Sequence, residues 1–166
     1  SPLESEKFRN TACRLDRHRT VTVVPDVAQL VRDSDLIVFT TVASAPHIAD
    51  AALFEHNPLV LHISLRDLAP EILLRSQNVV DDVEHVMKAN TSPHLAEQQT
   101  GNRSFVTGTL AEIMMGRRSV NRSRPIIFSP FGMGILDLAV GKWVYDQAVA
   151  AGQDLRMSDF FYEVVR

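Results

Sequence analysis

The stretch Asp35-Leu-Ile-Val-Phe-Thr-Thr41 decides the fold of this 166-residue chain. Its continuous apolar run predicts a strand buried on both faces, a pattern that is typical of parallel sheets. A second such run, Pro58-Leu-Val-Leu-His-Ile-Ser64, follows a short predicted helix at residues 46–54. The spacing of the two runs is that of a strand, a helix and a second, parallel strand.

The rest of the chain continues this alternation. Further strands are predicted at residues 20–24, 78–81 and 125–128. Helices are predicted at residues 4–13, 26–32, 70–74, 82–88, 92–99, 107–116 and 132–151. Strands that alternate with helices in this way predict an α/β protein with a doubly wound parallel sheet and carboxy-terminal helices. The tail, residues 160–166, is apolar enough to dock on another surface.

The composition limits the class of protein. With 45% hydrophobic residues, the chain can bury a core of ordinary single-domain size. A net charge of −3 argues against a nucleic-acid partner. No apolar run approaches bilayer length and nothing near the start reads as a signal peptide, so we expect no membrane partner and a cytoplasmic protein. The single cysteine, Cys13, cannot form an internal disulfide.

Polar residues follow the first apolar run. Thr40-Thr-Val-Ala-Ser44 lies at the carboxyl end of a predicted strand, which is where open α/β sheets bind their ligands. Its hydroxyls and backbone N–H groups suit a ribose or a pyrophosphate. The same residues also fit a polar turn whose side chains satisfy the local backbone.

The second polar segment, His62-Ile-Ser-Leu-Arg-Asp67, carries the candidate catalytic groups. His62 is a candidate acid/base group, Ser64 a hydroxyl donor, and Asp67 a base or an anchor for an amine. The alternative is a core histidine bonded to a carbonyl, beside a surface pair of Arg66 and Asp67. Because this segment lies next to the threonine turn, a shared ligand site and the structural alternative are equally favoured.

Asp81-Asp-Val-Glu-His85 combines carboxylates with an imidazole. We interpret Asp82 as the N-cap of a helix, because the following residues fit a first helical turn. Only one histidine lies near these acids and no second ligand pair follows at helical spacing, so we predict no metal. Asp81 ends an apolar strand and stays a candidate for the site.

The stretch Phe128-Ser-Pro-Phe-Gly-Met-Gly-Ile-Leu-Asp137 predicts the wall of a ligand pocket. Gly132 and Gly134 cost helix stability, which suggests that something approaches the backbone there. Asp137 lies among apolar residues, so we expect a buried carboxylate that needs a partner or a helix N-terminus. Replacement of Asp137 by alanine is then expected to harm folding as much as catalysis.

One motif of nucleotide-binding sheets is absent from the sequence. Such a sheet usually begins with a strand, a glycine-rich phosphate loop and an acid that binds the ribose hydroxyls. The chain has no G-x-G-x-x-G spacing. Its first residues look like the helix that follows the second strand of such a unit. We therefore expect the sequence to begin in the middle of a domain.

With these residues in hand, the chain resembles the ornithine cyclodeaminase/μ-crystallin family over nearly its whole length. Residues 35–44 resemble the family's cofactor-contacting strand and turn, and residues 107–116 resemble its segment before the last strand. The most specific match is the strand-Gly-x-x-x-x-Asp-x-x-x-x-x-x-x-Tyr block at residues 128–148. Residues 62–68, 79–90 and 129–134 look most like one branch, the N-(2-amino-2-carboxyethyl)-L-glutamate dehydrogenases of diaminopropionate biosynthesis.

The resemblance implies an NAD-dependent dehydrogenase that serves siderophore or peptide-antibiotic biosynthesis. Hydride transfer to NAD turns a glutamate Cα–N bond into an imine, and water then releases 2-oxoglutarate and L-2,3-diaminopropionate. The same resemblance makes residues 1–124 a partial, Rossmann-like NAD-binding domain. Residues 125–166 become a strand and helix that return to the substrate-side domain. A homodimer is implied for the full-length form.

Residue by residue, the resemblance assigns cofactor contacts and catalytic candidates. His62 and Asp67 are the catalytic candidates. Cyclodeaminases carry an acid in a longer Gly-Asp-x-x-x-Lys loop, shortened here to Ser64-Leu-Arg-Asp67, so we do not expect cyclodeamination of ornithine. Cofactor contacts are implied at Thr40, Thr41, His62, Ile63, Ser64, Phe131 and Gly132.

Two alternatives stay open at this stage. The first is another ketimine or imino-acid reductase, or an enzyme like ornithine cyclodeaminase, from the same family. The second is a truncated, non-catalytic binding domain, which the missing phosphate loop favours. For the same reason we expect the isolated chain to bind NAD weakly and to turn nothing over.

Overall fold

The computed structural model of the protein describes residues 2–15, 18 and 20–155. The predicted apolar tail at residues 160–166 lies outside the described residues. The strands are β1 Leu36–Phe39, β2 Leu59–His62, β3 Gln77–Val80, β4 Val106–Thr109 and β5 Ile126–Ser129. The helices are α1 Pro2–Leu15, α2 Val27–Arg32, α3 Pro70–Leu74, α4 Val83–Val86, α5 Ser92–Thr100, α6 Leu110–Met114 and α7 Gly134–Ala150.

The described strands form a five-stranded parallel sheet in the order β1-β2-β5-β3-β4. β5 comes last along the chain but lies in the centre, where Phe128 pairs with Leu61 of β2 and Val79 of β3. Because all the strands run the same way, their carboxyl ends lie at one edge of the sheet. The predicted α/β class with a doubly wound parallel sheet is confirmed.

The hydrophobic core lies on one face of this sheet. Alternate strand residues point into it, as the two-residue period of a strand requires. Helices α2, α3 and α5, a 3₁₀ turn at Ala51–Phe54, and the bridged residues Ile48 and Leu68 contribute the rest. The buried cluster consists of Val31, Ile37, Phe39, Ile48, Leu53, Phe54, Val60, Leu68, Ile72, Leu73, Ala96 and Ile127.

The first strand is less buried than its sequence predicts. Ile37 and Phe39 are buried, but Leu36 and Val38 are 56% and 52% exposed. The prediction of burial on both faces is therefore wrong within the part of the chain that the structure describes. The apolar run forms the strand, while its second face has no cover from the described residues.

Asp26, Pro70 and Asp82 mark the starts of three helices, as the sequence indicates. Asp26 accepts the N–H of Ala28 at the start of α2, and Asp82 accepts the N–H of His85 at the start of α4. Pro70 begins α3, where its missing N–H costs nothing. The helix predicted at residues 46–54 is reduced to the 3₁₀ turn, which Asp50 caps.

Two other sequence predictions are wrong. Residues 20–24 form no strand, because a strand needs a hydrogen-bonding neighbour and no described strand pairs with them. Residues 107–109, predicted to begin a helix, belong to β4 instead. The helix starts later because Thr109 and Glu112 form a capping box, in which each side chain binds the other residue's backbone N–H.

The chain divides into two compact units, residues 1–131 and residues 132–166. The division predicted after residue 124 stays a prediction, but it separates β5 from the sheet in which β5 pairs on both sides. In the second unit, the apolar side chains of α7 are exposed within the described chain. Asp137 lies in the first turn of α7 and is also exposed, so the expectation of a buried carboxylate is wrong here.

None of the described helices combines the length and the apolar character needed to cross a lipid bilayer.

Candidate functional site

Polar side chains follow the strands at the carboxyl edge of the sheet. This edge is where parallel α/β sheets bind ligands, because the loops leave the strands there and present free backbone groups. Each contributing residue lies at or just after a strand end. The set is Thr40 and Thr41 after β1, His62, Ile63 and Ser64 at the end of β2, Asp81 after β3, and Ser129 at the end of β5.

Asp67 is the centre of the hydrogen bonds at this edge. Its side chain is 0% exposed. One carboxylate oxygen accepts the hydroxyl of Thr41 and the other accepts the hydroxyl of Ser64. The carboxylate therefore ties the turn after β1 to the loop after β2. Charge-assisted bonds of this kind are stronger than bonds between neutral groups.

The same contacts control the charge of Asp67. Burial alone would raise the pKa of this carboxyl group, since a charge is costly away from water. The adjacent His62 ring and the hydroxyl donors of Ser64 and Thr41 outweigh burial and hold the pKa of Asp67 well below its ordinary value. Asp67 is therefore ionised at neutral pH.

His62 is fully buried at the end of β2. Its Nε2 lies 3.1 Å from the backbone nitrogen of Asp67, whose N–H can only donate. Nε2 also lies 3.2 Å from Oδ2 of Asp67, so one ring nitrogen faces both the backbone nitrogen and the carboxylate of Asp67. Nδ1 lies 3.4 Å from Oγ of Ser129, so the ring makes a long hydrogen bond to the end of β5.

On the β3 side of β5, Asp81 forms hydrogen bonds to the backbone. Its Oδ1 accepts the backbone N–H of Phe131 at 3.0 Å and that of Asp82 at 2.8 Å. The loop after β3 is thus bound to the segment that leaves β5. Asp82 caps α4 as predicted, so its carboxylate serves the helix rather than a ligand.

The structure brings four of the predicted site residues into direct contact: Thr41, His62, Ser64 and Asp67. Three of the other predicted contacts, all in the first unit, present exposed surface at the same edge. The side chain of Ile63 is 46% exposed and that of Phe131 is 38% exposed. Thr40 is exposed beside Thr41. Gly132, the first residue of the second unit, has a φ of +99°, which favours glycine.

Two further residues belong to this cluster and were not predicted as part of it. Ser129, which the sequence places only within the predicted pocket wall, has its Oγ near the His62 ring. His47, which is about half exposed, has its Nε2 3.9 Å from Oδ1 of Asp67. The one available signal is that His47 directly follows Pro46, shortly after the threonine turn.

Within residues 2–15, 18 and 20–155, no group of three or more His, Cys, Asp or Glu side chains is arranged to hold a metal ion.

A parallel sheet of this order, with polar side chains at its carboxyl edge, defines the class of doubly wound α/β domains. Sequence comparison then identifies the family. The pattern of the ornithine cyclodeaminase/mu-crystallin family matches residues 1–152, and the chain belongs to that family. The family predicted from the sequence is thereby confirmed. No curated protein sequence matches the chain.

Solved structures with the same fold agree with this assignment. CmnK is 30% identical, with a TM-score of 0.72 over 86% of this chain and 44% of its own. The Delta(1)-pyrroline-2-carboxylate reductase of Thermococcus litoralis, in complex with NADH and L-proline, is 19% identical, with a TM-score of 0.84 over 95% of this chain and 50% of its own. An archaeal alanine dehydrogenase dimer with bound NAD is 25% identical, with a TM-score of 0.77 over 93% and 49%.

The chain spans about half the length of these structures. NAD, the cofactor predicted from the sequence, is the one that two of these proteins hold in oxidised or reduced form.

Proposed function

We propose that this chain is part of an NAD-dependent dehydrogenase that acts on N-(2-amino-2-carboxyethyl)-L-glutamate. The observation that carries the proposal is the Asp67-centred cluster at the carboxyl edge of the sheet, in a family whose fold holds NAD(H) in related structures. The branch-level resemblance of residues 62–68, 79–90 and 129–134 supports the choice of substrate. Other imino-acid reductases of the family are the competing candidates.

The residues at this edge suit the nicotinamide and ribose part of NAD. Thr40, Thr41 and Ser64 supply hydroxyls, which match ribose hydroxyls and a carboxamide. Ile63 and Phe131 supply exposed apolar surface, against which a flat ring can pack. The glycine spacing that binds a pyrophosphate is absent from the sequence, so these residues fit one half of the cofactor.

Asp67 would set the direction in which the hydroxyls act. The hydroxyls of Thr41 and Ser64 each donate a hydrogen bond to the carboxylate, so each hydroxyl oxygen can only accept a hydrogen bond from a ligand. The hydroxyl of Thr41 also accepts the N–H of Ala43 at 3.3 Å, which further restricts its orientation. The two hydroxyls are then acceptors for ligand N–H or O–H groups, held in place before the ligand arrives.

Complete burial of His62 and Asp67 favours a positioning role over direct proton transfer. Asp67 orients the hydroxyls, and His62 holds the loop through the Asp67 N–H and meets Ser129 through Nδ1. Phe131 and Gly132 are proposed to face the nicotinamide and the substrate. A wall of this kind keeps water from the ring and fixes the distance across which the hydride moves.

The reaction removes a hydride and a proton from the substrate. When bound, NAD would supply the acceptor for a hydride from the glutamate Cα, and the secondary amine would lose its proton to leave an imine. Water then adds to that carbon and the C–N bond breaks. The products are 2-oxoglutarate and L-2,3-diaminopropionate.

Turnover by the protein at its natural length tests the proposal. The protein is incubated with NAD and N-(2-amino-2-carboxyethyl)-L-glutamate, NADH is followed by absorbance, and the two products are identified by mass spectrometry. L-Ornithine, L-alanine and L-proline serve as competing substrates, and cyclic imines are offered with NADH. Turnover of a cyclic imine or of L-alanine, without turnover of the proposed substrate, would replace this function with another of the family.

We also propose a cytoplasmic homodimer for the natural-length protein, as the resemblance implies. Light scattering after gel filtration gives the mass of the particle directly, and a monomeric mass would contradict the dimer.

A further inference from the structure

The segment that leaves β5 is held from both sides. β5 lies between β2 and β3 in the sheet. On the β2 side, His62 Nδ1 lies 3.4 Å from Oγ of Ser129. On the β3 side, Oδ1 of Asp81 accepts the N–H of Phe131 at 3.0 Å. The β3 contact is shorter and involves a carboxylate, so it is the stronger of the two.

The order of residues after β5 explains why this contact matters. Ser129 pairs with Val80 as the last residue of the strand. Pro130 has no N–H, so it cannot be held by a hydrogen bond from its own nitrogen. The N–H of Phe131 is therefore the first donor after the strand, and Asp81 accepts it. The left-handed turn at Gly132, with its φ of +99°, follows directly.

Asp81 is itself oriented for this contact. The same Oδ1 accepts the N–H of Asp82 at 2.8 Å, which fixes the carboxylate on the loop after β3. β3 is buried along its whole length, so this loop starts from a rigid element. A fixed carboxylate on a buried strand is suited to hold a neighbouring backbone in one place.

We propose that Asp81 is a positioning residue that acts through Phe131. Its carboxylate fixes the backbone at Phe131, the last residue of the first unit. Loss of this bond lets the segment after β5 move away from the position in which it would face the nicotinamide. The catalytic consequence rests on the proposed function, while the hydrogen bond does not.

Hydrogen exchange tests the bond without reference to catalysis. In the natural-length, ¹⁵N-labelled protein, we expect the Phe131 amide to exchange at least about 10-fold faster in Asp81→Ala than in the wild type, because a charge-assisted bond is lost. Asp81→Asn keeps an oxygen acceptor and is expected to restore most of the protection. Asp82→Ala is the matched control, since it removes the adjacent carboxylate and the cap of α4 but not the contact with Phe131.

Kinetics separates positioning from a purely structural role. We expect Asp81→Ala to lower kcat about 10- to 100-fold with a smaller change in KM, since misplacement of the site wall affects the hydride step. Asp81→Asn is expected to recover part of this loss, and Asp82→Ala to keep the wild-type kcat.

The outcomes are distinguishable. Wild-type kcat in Asp81→Ala, with faster exchange at Phe131, would show a structural bond only and overturn the inference. Unchanged hydrogen exchange at Phe131 in Asp81→Ala would show that Asp81 does not hold this backbone, and would overturn the inference whatever the kinetics show. If the wild-type protein turns over none of the proposed substrates, the proposed function fails instead, and the exchange measurement still decides whether Asp81 holds Phe131.

Discussion

Replacement of Asp67 by asparagine tests the cluster on which the site depends. The side chain keeps its shape but loses its charge, and one of its two oxygens becomes an NH₂ group. In the wild type both carboxylate oxygens accept a hydrogen bond from a hydroxyl group, one from Thr41 and one from Ser64. In the variant one hydroxyl keeps an oxygen acceptor, while the other faces a donor. The bond that remains is also weaker, because its acceptor is neutral.

The structure gives the size of this effect. Hydrogen bonds to a charged group contribute about 1.5–3 kcal/mol each, against about 0.5–1.5 kcal/mol for neutral pairs. One bond is lost and one is weakened at a fully buried site. We therefore expect Asp67→Asn to lower the free energy of unfolding by about 2–4 kcal/mol at pH 7. Exposed Asp146, which pairs with Lys142 at 2.7 Å, provides the control, and Asp146→Asn should cost less than about 0.5 kcal/mol.

The stability lost in Asp67→Asn should become smaller as the pH falls. The pKa of Asp67 in the folded protein lies below its ordinary 3.8, so the stabilisation is present above about pH 4. It is lost as the pH falls through the range below 3.8 toward the folded pKa, because the wild-type carboxylate is then protonated. Asparagine does not titrate there. The difference in stability between wild type and Asp67→Asn should therefore narrow as the pH falls below 4.

Urea unfolding followed by circular dichroism at a series of pH values measures this difference. Two results would refute the reasoning. One is a loss at pH 7 no larger than that of Asp146→Asn. The other is a loss that stays constant below pH 4, which would mean that the charge of Asp67 does not stabilise the folded state.

Three further predictions concern the site and its support. Thr41→Val should lower the free energy of unfolding by about 1–2 kcal/mol and weaken NADH binding measured by fluorescence. The control Thr40→Val, at an exposed residue, should cost less than about 0.5 kcal/mol. Equal effects of the two variants would contradict the hydrogen bond from Thr41 to Asp67. Gly132→Ala should cost about 1–3 kcal/mol in urea unfolding because of its positive φ, while Gly134→Ala at the start of α7 should be neutral or stabilising by up to about 1 kcal/mol. Ile127→Ala in the centre of the sheet should lower the free energy of unfolding by about 2–5 kcal/mol, and a loss smaller than about 1 kcal/mol would place that side chain outside the core.

Local patterns were enough to predict much of the fold. The apolar runs at residues 35–41 and 58–64 predict β1 and β2, and Asp26, Pro70 and Asp82 mark helix starts where the structure has them. Residues 20–24 have the composition of a strand but lack a partner, and pairing is not a local property. The start of α6 was misplaced because the reciprocal bonds of Thr109 and Glu112 set it. Those bonds to Thr109 also hold the pKa of Glu112 below its usual value.

The candidate site could be predicted only in outline. The rule that ligands bind at strand carboxyl ends brought Thr41, His62 and Ser64 to one edge. The contact of Thr41 with Asp67 spans 26 residues and that of His62 with Ser129 spans 67. Such contacts depend on the order of strands in the sheet. That order places β5 between β2 and β3, although 45 residues lie between the end of β3 and the start of β5. The hydrophobic periodicity of the sequence does not indicate that β5 lies between β2 and β3.

The central place of β5 has a consequence for synthesis on the ribosome. β2 and β3 pair with β5 and not with each other, so the described sheet consists of two separate strand pairs until residues 126–129 have emerged. The pairings of β5 with β2 and with β3, which join the two strand pairs into one sheet, then form in one late step. Nascent chains that stop before Pro125 would present two open, apolar strand edges, which favour aggregation and capture by chaperones. We expect such chains to be degraded rather than to persist as partly active fragments.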